Sequence, residues 1–139
     1  MKKMIVRIVA IVIGFLIIFG LQGGLLSIMK MLPYTIRLLF AKQIVCFYVF
    51  TLIGTVITGY IIHNRGWIYG LIVVILFQLV MLALCIWYLS FYKYKIDEIF
   101  NIWISDWWQK LNTLFIGALG GWLGELLAKL RVRYLKGPS

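Results

Sequence analysis

Three long stretches of the chain contain no formally charged side chain, and they constrain the fold more than any other feature. They cover residues 8–29, 43–62 and 66–92, which are 22, 20 and 27 residues long. An α-helix rises about 1.5 Å per residue, so about 20 apolar residues cross the roughly 30 Å hydrocarbon core of a bilayer. Each stretch therefore predicts a transmembrane helix.

The composition of the chain agrees with this prediction. Of its 139 residues, 64% are apolar and 13% are charged, whereas ordinary soluble domains have roughly 45–50% apolar and about 25% charged residues. A water-soluble fold of this length has no room to bury so much apolar surface. We therefore predict an all-α integral membrane bundle that forms a single domain over residues 1–139.

A fourth apolar run covers residues 111–128 and reaches a workable length when it is extended to Leu130. With it, we predict four transmembrane helices at about residues 6–29, 43–62, 66–92 and 111–130. The run is short for a span and contains Glu125. A three-span bundle, in which this run lies in the plane of the membrane, is the alternative.

The segment before the last run has the pattern of an amphipathic helix. Apolar residues recur there at steps of three and four, at Ile96, Ile99, Phe100, Trp103, Ile104 and Trp107. Such a pattern predicts an interfacial helix over about residues 96–109, with Trp103, Trp107 and Trp108 in the headgroup zone. The alternative is a re-entrant segment that is buried in protein.

A short polar turn joins the second and third runs. Asn64 and Gly66 both tolerate a left-handed backbone at the end of a helix. Spans two and three are therefore predicted to be antiparallel neighbours.

The formal net charge of +10 comes almost entirely from cations that flank the apolar runs. This placement favours binding to the membrane surface over binding to nucleic acid. With four spans, the side that carries both termini has eight Lys and Arg residues and the other side has six. The positive-inside rule then predicts a multi-pass protein of the cell membrane with both termini in the cytoplasm.

Small residues recur four apart in several of the predicted spans. The last span contains the spacings Gly117/Gly121 and Gly120/Gly124, and the others contain Thr55, Gly59, Gly20 and Gly24. Such spacings leave a groove in which a second helix backbone can approach closely. They are explained by packing within the bundle, which we favour, or by association with another subunit.

Two ionisable residues are candidates for proton transfer, Glu125 and His63. Simpler roles are an ion pair between Glu125 and Lys129, four residues later, and a turn position for His63. The sequence contains no recognisable catalytic constellation, metal-ligand spacing or phosphate-binding loop. We therefore expect no enzymatic activity and no catalytic, cofactor or metal residues.

Two segments carry a resemblance to a known group of proteins. The turn runs through Arg65-Gly66-Trp67 into Ile68-Tyr-Gly70, and the last span contains Gly117-Ala-Leu-Gly-Gly121. With four short spans, these segments resemble small uncharacterised four-span membrane proteins of Gram-positive bacteria. That group has no established activity, so the resemblance implies a fold and supplies no site residues.

These features predict a non-enzymatic membrane subunit or accessory protein. It is expected to associate through glycine-rich helix faces with itself or with a larger membrane complex. The alternative is a small oligomeric transporter or pore, including a holin-like protein.

Overall fold

A computed structural model describes residues 1–31, 43–93 and 95–137, and in these residues the chain forms five α-helices and no strand. The helices are α1 (Lys2–Met31), α2 (Gln43–Ile62), α3 (Gly66–Phe91), α4 (Ile96–Ser105) and α5 (Trp107–Lys136). Three of them, α1, α3 and α5, are long and apolar enough to cross a membrane, and α2 contributes a shorter apolar helix over Cys46–Ile62. The predicted all-α bundle is confirmed.

The last two helices differ from the predicted boundaries. The amphipathic helix α4 ends at Ser105 and not at 109, because Asp106 has a non-helical backbone with φ −102° and ψ 37°. Trp107 and Trp108 therefore belong to α5, which runs to Lys136, well beyond the predicted 111–130. The spacing of apolar residues continues in phase across residue 106, so the sequence pattern does not indicate that one helix ends at Ser105 and another begins at Trp107.

The turn between α2 and α3 also differs from the expectation. The left-handed residues are His63 (φ 63°) and Arg65 (φ 56°), and not Asn64 and Gly66. His63 directly follows the last residue of α2, and its N–H donates to the carbonyl of Gly59 at 3.1 Å, which closes the helix. Gly66 is the first residue of α3, so its backbone conformation does not require glycine.

The helix α5 lies against both arms of the hairpin that α2 and α3 form, and its contact with α2 is the most extensive in the molecule. It runs antiparallel to α3, since Gly117 meets Gly70 and Gly121 meets Gly66. The helix α1 packs antiparallel to α2, since Gly14 meets Thr58 and Ile18 meets Gly54.

Because the helices run in these directions, the start of α1, the 63–65 turn and the last turns of α5 lie at one end of the bundle. The guanidinium of Arg7 lies 5.6 Å from the centre of the Tyr69 ring, which ties α1 to α3 there. We call this region the basic end. Its cations are Lys2, Lys3, Arg7, Arg65, Lys129, Arg131, Arg133 and Lys136.

An aromatic core joins the first three helices. Phe77 of α3 is 3% exposed. Its ring centre lies 6.2 Å from that of Phe15 in α1 and 5.8 Å from that of Phe47 in α2. Ile18 and Val73 complete the buried cluster.

We expect Phe77→Ala to lower the free energy of unfolding by about 3 kcal/mol, because it leaves a cavity between three helices. Phe115 of α5 is 71% exposed and serves as the matched control, since Phe115→Ala removes the same atoms without opening a cavity. Thermal unfolding in mild detergent, followed by circular dichroism, compares the two. Equal losses in both variants would contradict the placement of this core.

Candidate functional site

The helix α5 turns a face of small residues toward the hairpin. The residues of this face that are buried are Thr113, Gly117, Gly120, Gly121, Gly124 and Ala128. They recur at steps of three and four, so they line one side of the helix. We call this the glycine face of α5.

The backbone of Gly121 is wedged between the two arms of the hairpin. A Cβ atom added to Gly121 would lie 2.1 Å from the carbonyl oxygen of Gly66 in α3. One added to Gly59 of α2 would lie 2.0 Å from the carbonyl oxygen of Gly121. Both separations are shorter than any real contact, so this junction accepts only glycine.

The two glycine spacings of α5 serve different arms of the hairpin. Along α3, a Cβ atom on Gly70 would lie 2.1 Å from the carbonyl oxygen of Gly117. Along α2, Cβ atoms on Gly120 and Gly124 would lie 2.1 Å from the Thr55 hydroxyl and 2.0 Å from the Val56 carbonyl oxygen. The predicted packing residues Gly117, Gly120, Gly121, Gly124, Thr55 and Gly59 are thus in contact within one chain.

Buried threonines line the packed sides of α2: Thr55 faces α5 and Thr58 faces α1. The hydroxyls of Thr51, Thr55 and Thr58 donate to the carbonyl oxygens one turn earlier, at 2.8, 2.8 and 2.9 Å. Because each hydroxyl is satisfied inside its own helix, it adds no unpaired polar group to the interface.

The opposite edge of α2 packs on α1 in the same way. A Cβ atom on Gly54 would lie 2.8 Å from the carbonyl oxygen of Gly14, and the Thr58 hydroxyl also lies 3.3 Å from the carbonyl oxygen of Ala10. The sequence prediction missed Gly54 and Thr58. Their four-residue spacing was the signal that could have revealed them.

We expect Gly121→Ala to destabilise the protein by at least about 1 kcal/mol, because the methyl group forces two backbones apart. Gly23→Ala is the matched control for packing within the chain, since no atom of the described residues lies within 4 Å of a Cβ atom there and alanine is still small enough for a helix-packing face. It should be neutral or stabilising by up to about 1 kcal/mol through helix propensity. Thermal unfolding of both variants in the same detergent tests this, and a neutral Gly121→Ala would refute the wedge.

Glu125 closes the junction at the basic end. Its Oε2 accepts a hydrogen bond from the backbone N–H of Gly66 at 2.8 Å, and its Oε1 lies 2.6 Å from the Lys129 ammonium. The first N–H groups of a helix have no partner inside the helix, and Arg65 makes no side-chain cap for α3. A carboxylate from α5 therefore caps α3.

His63, the other candidate for proton transfer, is exposed in the turn. Its Nδ1 lies 3.0 Å from the carbonyl oxygen of Ile61 and donates to it in the tautomer that carries the proton there. Nearby, the Arg131 guanidinium of α5 donates to the Tyr60 hydroxyl of α2. These contacts hold the turn and the end of α5 together.

We expect Glu125→Ala to destabilise the protein by about 1–3 kcal/mol, because it leaves the Gly66 N–H without a partner. Glu125→Gln should be much milder, since its amide oxygen still accepts that hydrogen bond and the partly exposed ion pair contributes little. Asp97→Ala, at an exposed position of α4, is the control. If Glu125→Gln destabilised the protein as much as Glu125→Ala, the charge and not the cap would be the essential feature.

The three predicted interfacial tryptophans lie at the end opposite the basic end. Trp107 and Trp108 are exposed, and their ring centres lie 4.3 Å apart. The Lys110 ammonium of α5 lies 4.5 Å from the Trp103 ring centre and donates to the Trp103 carbonyl oxygen, which ties α4 to α5. Exposed indole rings at the end of a bundle suit the headgroup zone of a bilayer.

Two of the predicted packing residues, Gly20 and Gly24, do not pack closely against another helix of the described residues. Both are exposed on α1, and a Cβ atom on either would have no atom of the described residues within 4 Å. Gly23 and Ser27 lie on the same side of the helix and are exposed as well. We call these four residues the open glycine face of α1.

Within the described parts of the chain, no three His, Cys, Asp or Glu side chains lie close enough together to hold a metal ion. Comparison with known proteins finds no matching family model, no matching curated protein and no matching solved structure. The resemblance to four-span proteins of Gram-positive bacteria stays a prediction.

Proposed function

We propose that this chain is a non-enzymatic, multi-pass membrane subunit that associates with a second copy or with a larger membrane complex through the open glycine face of α1. The observation that carries the proposal is the contrast between the two glycine faces. The face of α5 is fully occupied within the chain, whereas that of α1 meets no described residue. The surface that a partner helix could contact is therefore on α1 and not on α5.

The physical argument rests on what drives helix association in lipid. Large apolar side chains gain little when they exchange lipid for protein, whereas small residues let two backbones approach and gain dispersion contacts. Gly20 and Gly24, with Gly23 and Ser27, form two small-residue spacings on one helix side. The Ser27 hydroxyl donates to the Gly23 carbonyl oxygen at 2.9 Å, so this side presents no unsatisfied polar group.

The charges support an orientation with both termini in the cytoplasm. The basic end has eight Lys and Arg residues and one acid, Glu125. The other end has four cations among the described residues, Lys30, Lys93, Lys95 and Lys110, and it also has three acids. Arg37 and Lys42 lie outside the described residues. The positive-inside rule favours the basic end as the cytoplasmic one.

A transporter or pore would need polar groups that are free to bind a solute or a proton. The two candidates in the described spans, Glu125 and Gln78, already have partners within the chain. Glu125 is held by Gly66 and Lys129. The side chain of Gln78, predicted to lie inside span three, donates to the Lys110 carbonyl oxygen at 3.2 Å. A proton or dye flux above that of empty liposomes, lost in Glu125→Gln, would contradict the subunit proposal.

We expect Gly24→Ile to abolish self-association or capture of the partner complex, because a branched side chain fills the groove on α1. The measurement is size-exclusion chromatography with light scattering and mass spectrometry of co-purifying proteins after mild detergent extraction. The helical circular-dichroism signal should be unchanged, since Gly24 meets no described residue of its own chain.

Leu79→Phe provides the control, because Leu79 is exposed on α3, outside the open glycine face, and the change also adds bulk. It should leave the complex intact. A wild-type protein that is monomeric without any partner, or a complex that survives Gly24→Ile, would overturn the proposal.

A further inference from the structure

A cavity of about 330 Å³ opens at the basic end, between the start of α1 and the 63–65 turn. Its lining combines three cations, one amide and two apolar side chains. These residues are Lys2, Lys3, Arg7, Asn64, Val6 and Ile62. Nothing in the junction of α5 with the hairpin uses this cavity.

The three cations approach the cavity from the first two turns of α1. Lys3 and Arg7 are four residues apart and share one side of the helix. The Arg7 guanidinium lies over the Tyr69 ring, 5.6 Å from its centre. At this distance the cation is attracted to the ring face, which helps to position the guanidinium. Its N–H groups can donate to two oxygen atoms at once, a geometry that suits phosphate.

No described acid pairs with the cations of the cavity. All four Asp and Glu residues of the chain lie in the described residues, and among those residues the one salt bridge joins Glu125 to Lys129. None of these four side chains therefore forms a salt bridge with Lys2, Lys3 or Arg7. Clustered cations without a counter-charge attract an anion.

We propose that this cavity binds the phosphate of an anionic phospholipid headgroup. Val6 and Ile62 give it an apolar wall, and the neighbouring Ile5 and Ile8 are exposed large apolar side chains on the same helix. A headgroup brings its own acyl chains to such a wall, whereas a soluble phosphate gains nothing there. Asn64 provides an amide for the hydroxyl groups of the headgroup. Basic pockets between transmembrane helices bind anionic headgroups in this way.

The inference does not depend on the association of α1 with a partner, because the open glycine face lies near the other end of the helix. The experiment is native mass spectrometry of the detergent-solubilised full chain with added phosphatidylglycerol, phosphatidylcholine or soluble glycerol phosphate. We expect retained adducts with phosphatidylglycerol. We expect few with phosphatidylcholine and no competition from glycerol phosphate at equal concentration.

The decisive variant is Lys3→Gln with Arg7→Gln, and its matched control is Arg133→Gln with Lys136→Gln. The control removes the same charge from the same end but outside the cavity. At about 1 kcal/mol per cation near an anionic headgroup, the first pair should weaken phosphatidylglycerol binding at least about tenfold. The control should change it little.

Lys3→Gln alone leaves the contact between Arg7 and Tyr69 intact, so it keeps the test valid if the double variant unfolds. It should still weaken phosphatidylglycerol binding severalfold. Equal losses in the double variant and its control would overturn the site, because affinity would then follow overall charge. Competition by glycerol phosphate as strong as that by the lipid would overturn the lipid as its ligand. Unchanged binding in Lys3→Gln and in the double variant would overturn the cavity itself.

Discussion

The close approach of three backbones around Gly121 is the contact on which the rest of this fold depends. In lipid, where apolar side chains alone do not hold helices together, such an approach supplies the dispersion contacts that do. It sets the register of α5 against both arms of the hairpin, because Gly59 of α2 and Gly66 of α3 meet the same residue. The glycine at position 66 is explained by this contact and not by the turn.

Several other features follow from that register. It brings Glu125 to the unpaired N–H of Gly66 and Arg131 to the Tyr60 hydroxyl. The cations of α5 then join those of α1 and the turn at one end of the bundle. One packing contact thereby supports a helix cap and a concentration of positive charge. That charge is the basis of both the proposed orientation and the proposed headgroup site.

The sequence predicted the parts of this structure that depend on local pattern. The uncharged run over 43–62 marked α2, and the glycine spacings of the last span marked its packing face. It did not show which helix meets which face, since Gly66 and Glu125 are 59 residues apart and capping between helices leaves no local signature. The break at Asp106 was also hidden, because apolar periodicity continues through it. Of the two left-handed residues, His63 belongs to a type that is enriched in this conformation, whereas Arg65 does not, and the prediction rested on Asn64 and Gly66 instead.

The most direct test of the account is an intramolecular cross-link between α2 and α5. Tyr60→Cys and Arg131→Cys, in a background with Cys46→Ala and Cys85→Ala, replace two side chains that contact each other. A short bis-maleimide reagent applied in membranes should join them within one chain, whereas Arg131→Cys paired with Phe91→Cys, at the far end of α3, should not react. A product linked between two chains, or no product at all, would contradict the claim that α5 fills the hairpin of its own chain.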